Sequence, residues 1–170
     1  MGDRRNIAYI DNQNLYMATR QDEDPWMLDM RKFRVYLREK YRCDTAYLFM
    51  GAFELERQDL YLMLQGFGYI LVYREHSSNL KGKKKGNVDT DIVFQIMRDV
   101  SEKNDFGIVL VSGDGDYKRM VDYLIMLNRF EVVLLPSKRF SSSLYKKIGN
   151  KHYAYLDTPD MRVRLMMDAK

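Results

Sequence analysis

The 170-residue chain carries 28 lysines and arginines against 24 aspartates and glutamates, a formal net charge of +4. That length suits one domain with a single core, and no stretch reaches the ~20 consecutive apolar residues of a membrane helix. The N-terminus, MGDRRNIAYID, lacks the apolar run of a secretory signal, so the expectation is a soluble, cytoplasmic protein without membrane contact.

In chain order, short apolar runs alternate with longer segments of helical period. The predicted strands are NIAYID (6–11), TAYLFMG (45–51), YILVYR (69–74), GIVLVSG (107–113), EVVLLP (131–136) and a short YAYL (153–156). Most are continuously apolar, as strands covered on both faces of a parallel sheet must be. Helices are predicted over 29–41, where Met30, Phe33, Leu37 and Tyr41 share one side, and over 54–66. Two more are predicted over 90–103, through Ile92, Val93, Ile96, Met97 and Val100, and over 116–127, through Met120, Val121, Leu124 and Ile125. Thr158 reads as the N-cap of a final helix, about 159–168, with Pro159 in its first turn. Cys43, the single cysteine, reads as a buried structural thiol.

This alternation implies right-handed crossovers and a single α/β domain: a doubly wound, mainly parallel sheet with helices on both faces. No linker rich in proline, glycine or serine divides the chain, so the domain is expected to fill 1–170 with its core over about 6–157. Ligands of such sheets bind outside the carboxyl ends of the strands, near the point where strand order reverses. Three acidic stretches fall there. The first strand ends in Asp11 followed by Asn14; the strand from 107 ends in Ser112, Asp114 and Asp116; and Asp89 and Asp91 open the helix at 90.

Each stretch has a purely structural explanation. Aspartate at a helix N-terminus stabilises by ~0.5–2 kcal/mol, and aspartates flanking Gly115 suit a turn. Together they would crowd several carboxylates, which raise one another's pKa unless a cation neutralises them. Carboxylate oxygens without histidine or cysteine suit Mg²⁺ or Mn²⁺. The segment 74–86, REHSSNLKGKKKG, holds five basic residues against Glu75 and so carries the whole net charge of the chain. Its Lys81, Lys83, Lys84 and Lys85 form either a solvated loop or an arm for polyanions.

IDNQN (10–14), KGNVDTD (85–91) and SGDGDY (112–117), in this order and on these elements, resemble the three signature motifs of the NYN domain, a PIN-like nuclease family. The similarity runs from about residue 6 to the FSSSL and YAYLD stretches at 140–157. One departure is Asn12, where the family often has glycine. The resemblance implies a metal-dependent ribonuclease acting on RNA, its acidic residues mapping onto Asp11, Asp89 and Asp114, with Asp116 and Asp91 as auxiliaries. In that reading Mg²⁺ or Mn²⁺ is held by Asp11, Asp89, Asp114 and Asp116, while Asn14 and Ser112 orient a carboxylate, a water or the phosphate. The lysine loop would guide a single-stranded RNA backbone.

Tyr16 and Tyr117 are candidates to stack on bases, although packing is the expected role of both. The competing readings are a binding module of the same fold without catalysis, a haloacid dehalogenase-type phosphatase and a dinucleotide-binding Rossmann protein. The phosphatase needs an aspartate where Gln13 stands, and the Rossmann protein needs glycines that IDNQNLY lacks. A homodimer stays open.

Overall fold

A computed structural model of the protein describes residues 4–21, 23–74, 88–103 and 105–168. The chain runs β1 (Arg5–Asp11), α1 (Asn12–Arg20), α2 (Met30–Tyr41), β2 (Cys43–Phe49), α3 (Gln58–Gly66), β3 (Ile70–Val72) and α4 (Val88–Glu102). It continues with β4 (Phe106–Val111), α5 (Lys118–Met126), β5 (Phe130–Leu135), β6 (Tyr153–Tyr155) and α6 (Pro159–Leu165).

All six strands form one parallel sheet in the order β3-β2-β1-β4-β5-β6. The strand order reverses between β1 and β4, so the connections leaving these two neighbours diverge to opposite faces and open a crevice at their carboxyl ends. The side chains show the two-face burial that continuous apolar strands imply. Ala8 and Ile10 of β1 and Val109 and Val111 of β4 pack with Leu15, Phe33, Leu37, Tyr61, Leu64 and Leu165. The alternate residues Ile7, Tyr9, Ile108 and Leu110 pack with Ile92, Ile96, Val121 and Leu124 of α4 and α5. Among the described residues, no helix is long and apolar enough to cross a membrane.

Several boundaries differ from the sequence expectation. The strand expected over 45–51 is Cys43–Phe49, because it pairs along β1 from Asn6↔Cys43 to Asp11↔Phe49, and the Arg34 guanidinium caps its start by donating to the Cys43 and Asp44 carbonyls at 2.9 and 2.6 Å. The expected 69–74 shortens to three residues. Each of the helices expected over 54–66 and 116–127 begins as a separate 3₁₀ turn, at Leu55–Arg57 and Gly115–Tyr117. The last helix stops at Leu165 rather than 168, since Met166 turns extended, bridges Leu28 and leaves Met167 N–H to donate to the Met27 carbonyl. Helix α1 was not expected at all. Two of its opening residues, Asn12 and Asn14, are weak helix formers, but the Asp11 side chain caps it and Leu15, Ala18 and Thr19 give it a buried side. Cys43 is fully buried, and burial pushes its thiol up to about 12, an inert structural group.

Candidate metal centre

The site grows from the ends of β1 and β4. Their register pairs Ile10 with Val111, which puts Asp11 and Ser112 side by side where the ladder stops. Asp11 then caps α1: its Oδ1 accepts the Asn14 N–H at 3.0 Å. Asn14 reaches across the crevice, and its Oδ1 accepts the Gly113 N–H at 2.8 Å. Ser112, completely buried, lies between two acids; its hydroxyl donates to Asp11 Oδ2 at 3.3 Å and accepts the Asp114 N–H at 3.2 Å. Asp114 Oδ1 accepts the Asp116 N–H at 2.9 Å and starts the 3₁₀ turn. The SGDGD stretch is therefore a real Asx-type turn, and that turn is what fixes the direction of its carboxylate.

Helix α4 brings the third acid of the site. Asp89, in its first turn, accepts a hydrogen bond at 2.7 Å from the Tyr117 hydroxyl, whose oxygen also lies 3.3 Å from Asp11 Oδ2. Tyr117 is wholly buried. Burial and the Asp11 and Asp89 charges hold its ionisation far above the ordinary phenol range, so it stays a proton donor. Carboxylate oxygens of Asp89, Asp114 and Asp116 lie within 4.8 Å of one another. Asp11 is at the back of the same cleft, 4% exposed, and burial raises its pKa above the carboxylate norm despite the opposing bonds from Asn14, Tyr117 and Ser112; the Asp89 charge raises it further. A cavity of about 340 Å³ opens over these groups, lined by Asp11, Asn14, Met17, Asp89, Asp114 and Phe140, among others.

The structure thus gathers Asp11, Asn14, Asp89, Ser112, Asp114 and Asp116 at one crevice. Asp91 stands two residues beyond Asp89 on the same helix, a spacing that turns side chains apart, and it is outside the three-carboxylate set. Lys81, Lys83, Lys84 and Lys85 lie outside the described residues. Asn12 is the first residue of α1 and has no positive φ, so the freedom of glycine is not needed there.

Two tyrosine expectations separate. Tyr117 packs, but as the link between carboxylates; Tyr16 does not pack and is 60% exposed on α1, beside Arg20. The sequence reading missed the stretch after β5 as part of the site. There the Ser142 N–H donates to the Gly113 carbonyl at 2.9 Å, and the Tyr145 hydroxyl donates to the Asp114 carbonyl. A Cβ on Gly113 would meet Ser141 Oγ at 2.7 Å, and one on Gly115 would meet Ser142 Cβ at 2.9 Å. Both glycines of SGDGD exist for this close approach, a signal that the spacing of acids alone does not carry.

The family model of the NYN domain matches residues 6–154. The chain belongs to the NYN domain family. This NYN chain is 23% identical over 167 residues to the "Low amplitude and bright protein LabA" of Synechococcus elongatus, covering 93% of the present chain and 86% of that protein. A crystal structure of a protein of unknown function, VPA0982, from Vibrio parahaemolyticus shares the fold, with a TM-score of 0.75 at 20% identity over 98% of the present chain and 99% of the other. The family is one of PIN-like nucleases, which agrees with an acid cluster at the switch point of the sheet.

Proposed function

We propose that the protein is a ribonuclease dependent on Mg²⁺ or Mn²⁺ that hydrolyses phosphodiester bonds of single-stranded RNA. The observation that carries this reading is the meeting of Asp89, Asp114 and Asp116 within 4.8 Å, with Asp11 behind them in the same cleft. The set fits a hard cation. It offers only oxygen, and octahedral Mg²⁺ at ~2.1 Å places its ligand oxygens roughly 3.0–4.2 Å apart, close to the spacing found, with water completing the shell. Asp89 and Asp114 would hold the ion directly, the exposed Asp116 through water, and Asp11 would stand behind them as a further ligand or water acceptor.

When bound, the ion supplies Lewis acidity, lowering the pKa of an attacking water and offsetting the charge that builds on the phosphate. The chain supplies direction. Ser112 and Asn14 fix Asp11, the Asx turn fixes Asp114, and Tyr117 fixes Asp89, so that no carboxylate has to be reoriented during the reaction. Lys81, Lys83, Lys84 and Lys85 enter the sequence just before Asp89 and would add positive charge for the phosphate backbone.

The test is cleavage of single-stranded RNA with Mg²⁺ or Mn²⁺ against EDTA, using wild type and Asp114→Asn. Asparagine keeps the oxygen that accepts the Asp116 N–H, so the turn should survive while activity is lost. In EDTA the variant should melt higher, because unit charges ~5 Å apart repel by roughly 3 kcal/mol at an effective dielectric of 20; in Mn²⁺ its stabilisation should shrink. Equal activity in EDTA would sink the reading, and metal-dependent RNA binding without cleavage would assign a binding role instead.

A further inference from the structure

Phe140 is out of place for a metal cleft. It lines the cavity that holds Asp11, Asp89 and Asp114, yet its ring is 45% exposed, and Met17 from α1, 42% exposed, lines the same cavity. A large apolar group left open beside charged carboxylates forgoes burial that would be worth roughly 1.5–3 kcal/mol.

The backbone that carries the ring is also held in place. Its neighbours Ser141 and Ser142 are seated on Gly113 and Gly115 at the close approach described above, and Ser142 N–H is bonded to the Gly113 carbonyl. On the other side, Ser141 Oγ donates to the Ser137 carbonyl, and the Arg139 N–H donates to Ser137 Oγ at 3.2 Å. The turn that aims Asp114 and the turn that carries Phe140 are thus one packed unit, which fixes the backbone at Phe140 relative to Asp114. The Arg139 guanidinium lies 5.3 Å from the Phe140 ring centroid and is also paired with Glu23 at 2.6 Å. An aromatic face with a cation beside it, next to a phosphate-directed metal site, is the arrangement that binds a base and its backbone together.

We infer that Phe140 is the stacking platform for a nucleobase adjacent to the cleaved phosphate, with Met17 lining the same subsite, so that the site selects single strands whose bases are unpaired. The inference rests on the nuclease reading for the position of the phosphate. A duplex, with its bases sheltered in the stack, cannot offer a face to Phe140. A cavity of about 340 Å³ is at the lower end of the ~300–1,000 Å³ range of ligand clefts, the scale of one nucleotide rather than of a helical groove.

The experiment compares wild type, Phe140→Ala and Phe140→Trp for binding of a labelled single-stranded oligoribonucleotide, in EDTA and in Mn²⁺, and for kcat and KM where cleavage occurs. A 2-aminopurine in the oligonucleotide reports stacking directly. The exposed ring makes a folded alanine variant the expectation, and the Mn²⁺-induced melting shift, which should equal that of wild type, checks that the acid cluster is intact. Phe140→Ala should weaken single-strand binding by roughly 5- to 100-fold, the span of base–aromatic stacking, raise KM with little change in kcat, and abolish the 2-aminopurine quench; Phe140→Trp should restore all three. Binding of the matching duplex should not change. Loss of binding in Phe140→Ala when wild type binds but does not cleave would keep the subsite and discard the nuclease. Equal single-strand binding by wild type and Phe140→Ala would overturn the subsite whether or not RNA is cut, and no RNA binding by wild type would overturn both.

Discussion

Replacing Tyr117 by phenylalanine removes one oxygen and tests whether the two carboxylates behind the cleft are held by it. The hydroxyl has a single proton, and the geometry assigns it to Asp89 Oδ1 at 2.7 Å rather than to Asp11 Oδ2 at 3.3 Å. A hydrogen bond to a charged group is worth ~1.5–3 kcal/mol. Asp89 is only half-buried, so water can replace part of that bond, and Asp11 keeps the Asn14 N–H and the Ser112 hydroxyl. The expected loss of stability is therefore about 1–2 kcal/mol, or roughly 2–8 °C in Tm for a domain of this size. The functional effect is separate. Without the hydroxyl at its Oδ1, Asp89 is less firmly oriented toward an entering cation, which should weaken Mn²⁺ roughly two- to fivefold. At a Mn²⁺ concentration a hundredfold above the wild-type Kd, the metal stabilises by about 2.7 kcal/mol; a fivefold weaker site leaves about 1.8 kcal/mol. Thermal melting across a Mn²⁺ titration reads both quantities, and kcat should fall while KM for RNA holds. A Tyr117→Phe protein with the wild-type Tm in EDTA and the wild-type Mn²⁺ shift would refute the argument that this hydroxyl positions Asp89.

Asp99→Asn probes a different acid of α4. The Asp99 side chain is 1% exposed and accepts from the Tyr9 hydroxyl at 2.8 Å, Gln95 Nε2 at 3.1 Å and Lys103 Nζ at 2.8 Å. Allowing for a lysine that can rehydrate, the variant should lose about 2–3 kcal/mol at neutral pH in denaturant titration. Burial opposes the Asp99 charge, but the bonds from Lys103, Gln95 and Tyr9 outweigh it and hold the pKa below the usual carboxylate value. Its contribution is therefore complete above pH ~4 and lost as the pH falls further, so the gap between wild type and Asp99→Asn should narrow in acid. Gly115→Ala places a Cβ 2.9 Å from Ser142 Cβ, which is fixed to backbone, and should lower Tm by several degrees at a cost of ~1–3 kcal/mol. Adding Ser142→Gly should return part of the loss; no recovery would mean that the strain lies elsewhere.

The periods in the sequence carried most of the fold because β1, β4 and β5 are buried on both faces and the helices predicted over 29–41, 90–103 and 116–127 show apolar stripes. What they could not carry was set by tertiary contact. Residues 12–20 are helical because Asp11 caps them and the sheet covers Leu15 and Ala18, whereas their polar opening reads locally as a loop. The acids of the site were legible, since strand ends and a helix start are identifiable from pattern and the sheet rule puts them at one edge. Their separate duties were not. That Asp11 is deeper than Asp114, that Asp91 faces away from Asp89, and that Tyr117 bridges two chain segments 78 residues apart (Asp11 to Asp89) all depend on side-chain direction. Phe140 is the clearest case: only the glycines that admit its turn reveal that 140–142 belongs to the site.

Asp99 of α4 and the strand-end acids Asp11 and Asp114 are met by different kinds of group. Asp99 is met inside the fold by its own cation, Lys103, and by a phenol and an amide, so its charge is compensated before any ligand arrives. At the cleft the assigned donors to Asp11 and Asp114 are neutral: backbone N–H groups of Asn14 and Asp116 and the Ser112 hydroxyl. Neutral donors orient a carboxylate without cancelling its field. Donors of this kind leave the charges of Asp11 and Asp114 in place, and in the proposed reading a cation would relieve roughly 3 kcal/mol for each pair of charges ~5 Å apart in an effective dielectric of 20. A lysine placed against Asp11 or Asp114, as Lys103 is against Asp99, would stabilise the protein without metal and weaken its attraction for a cation. The pairing of fixed direction with charge that neutral donors leave in place, rather than the number of acids, is what makes the ends of β1 and β4 the candidate metal centre.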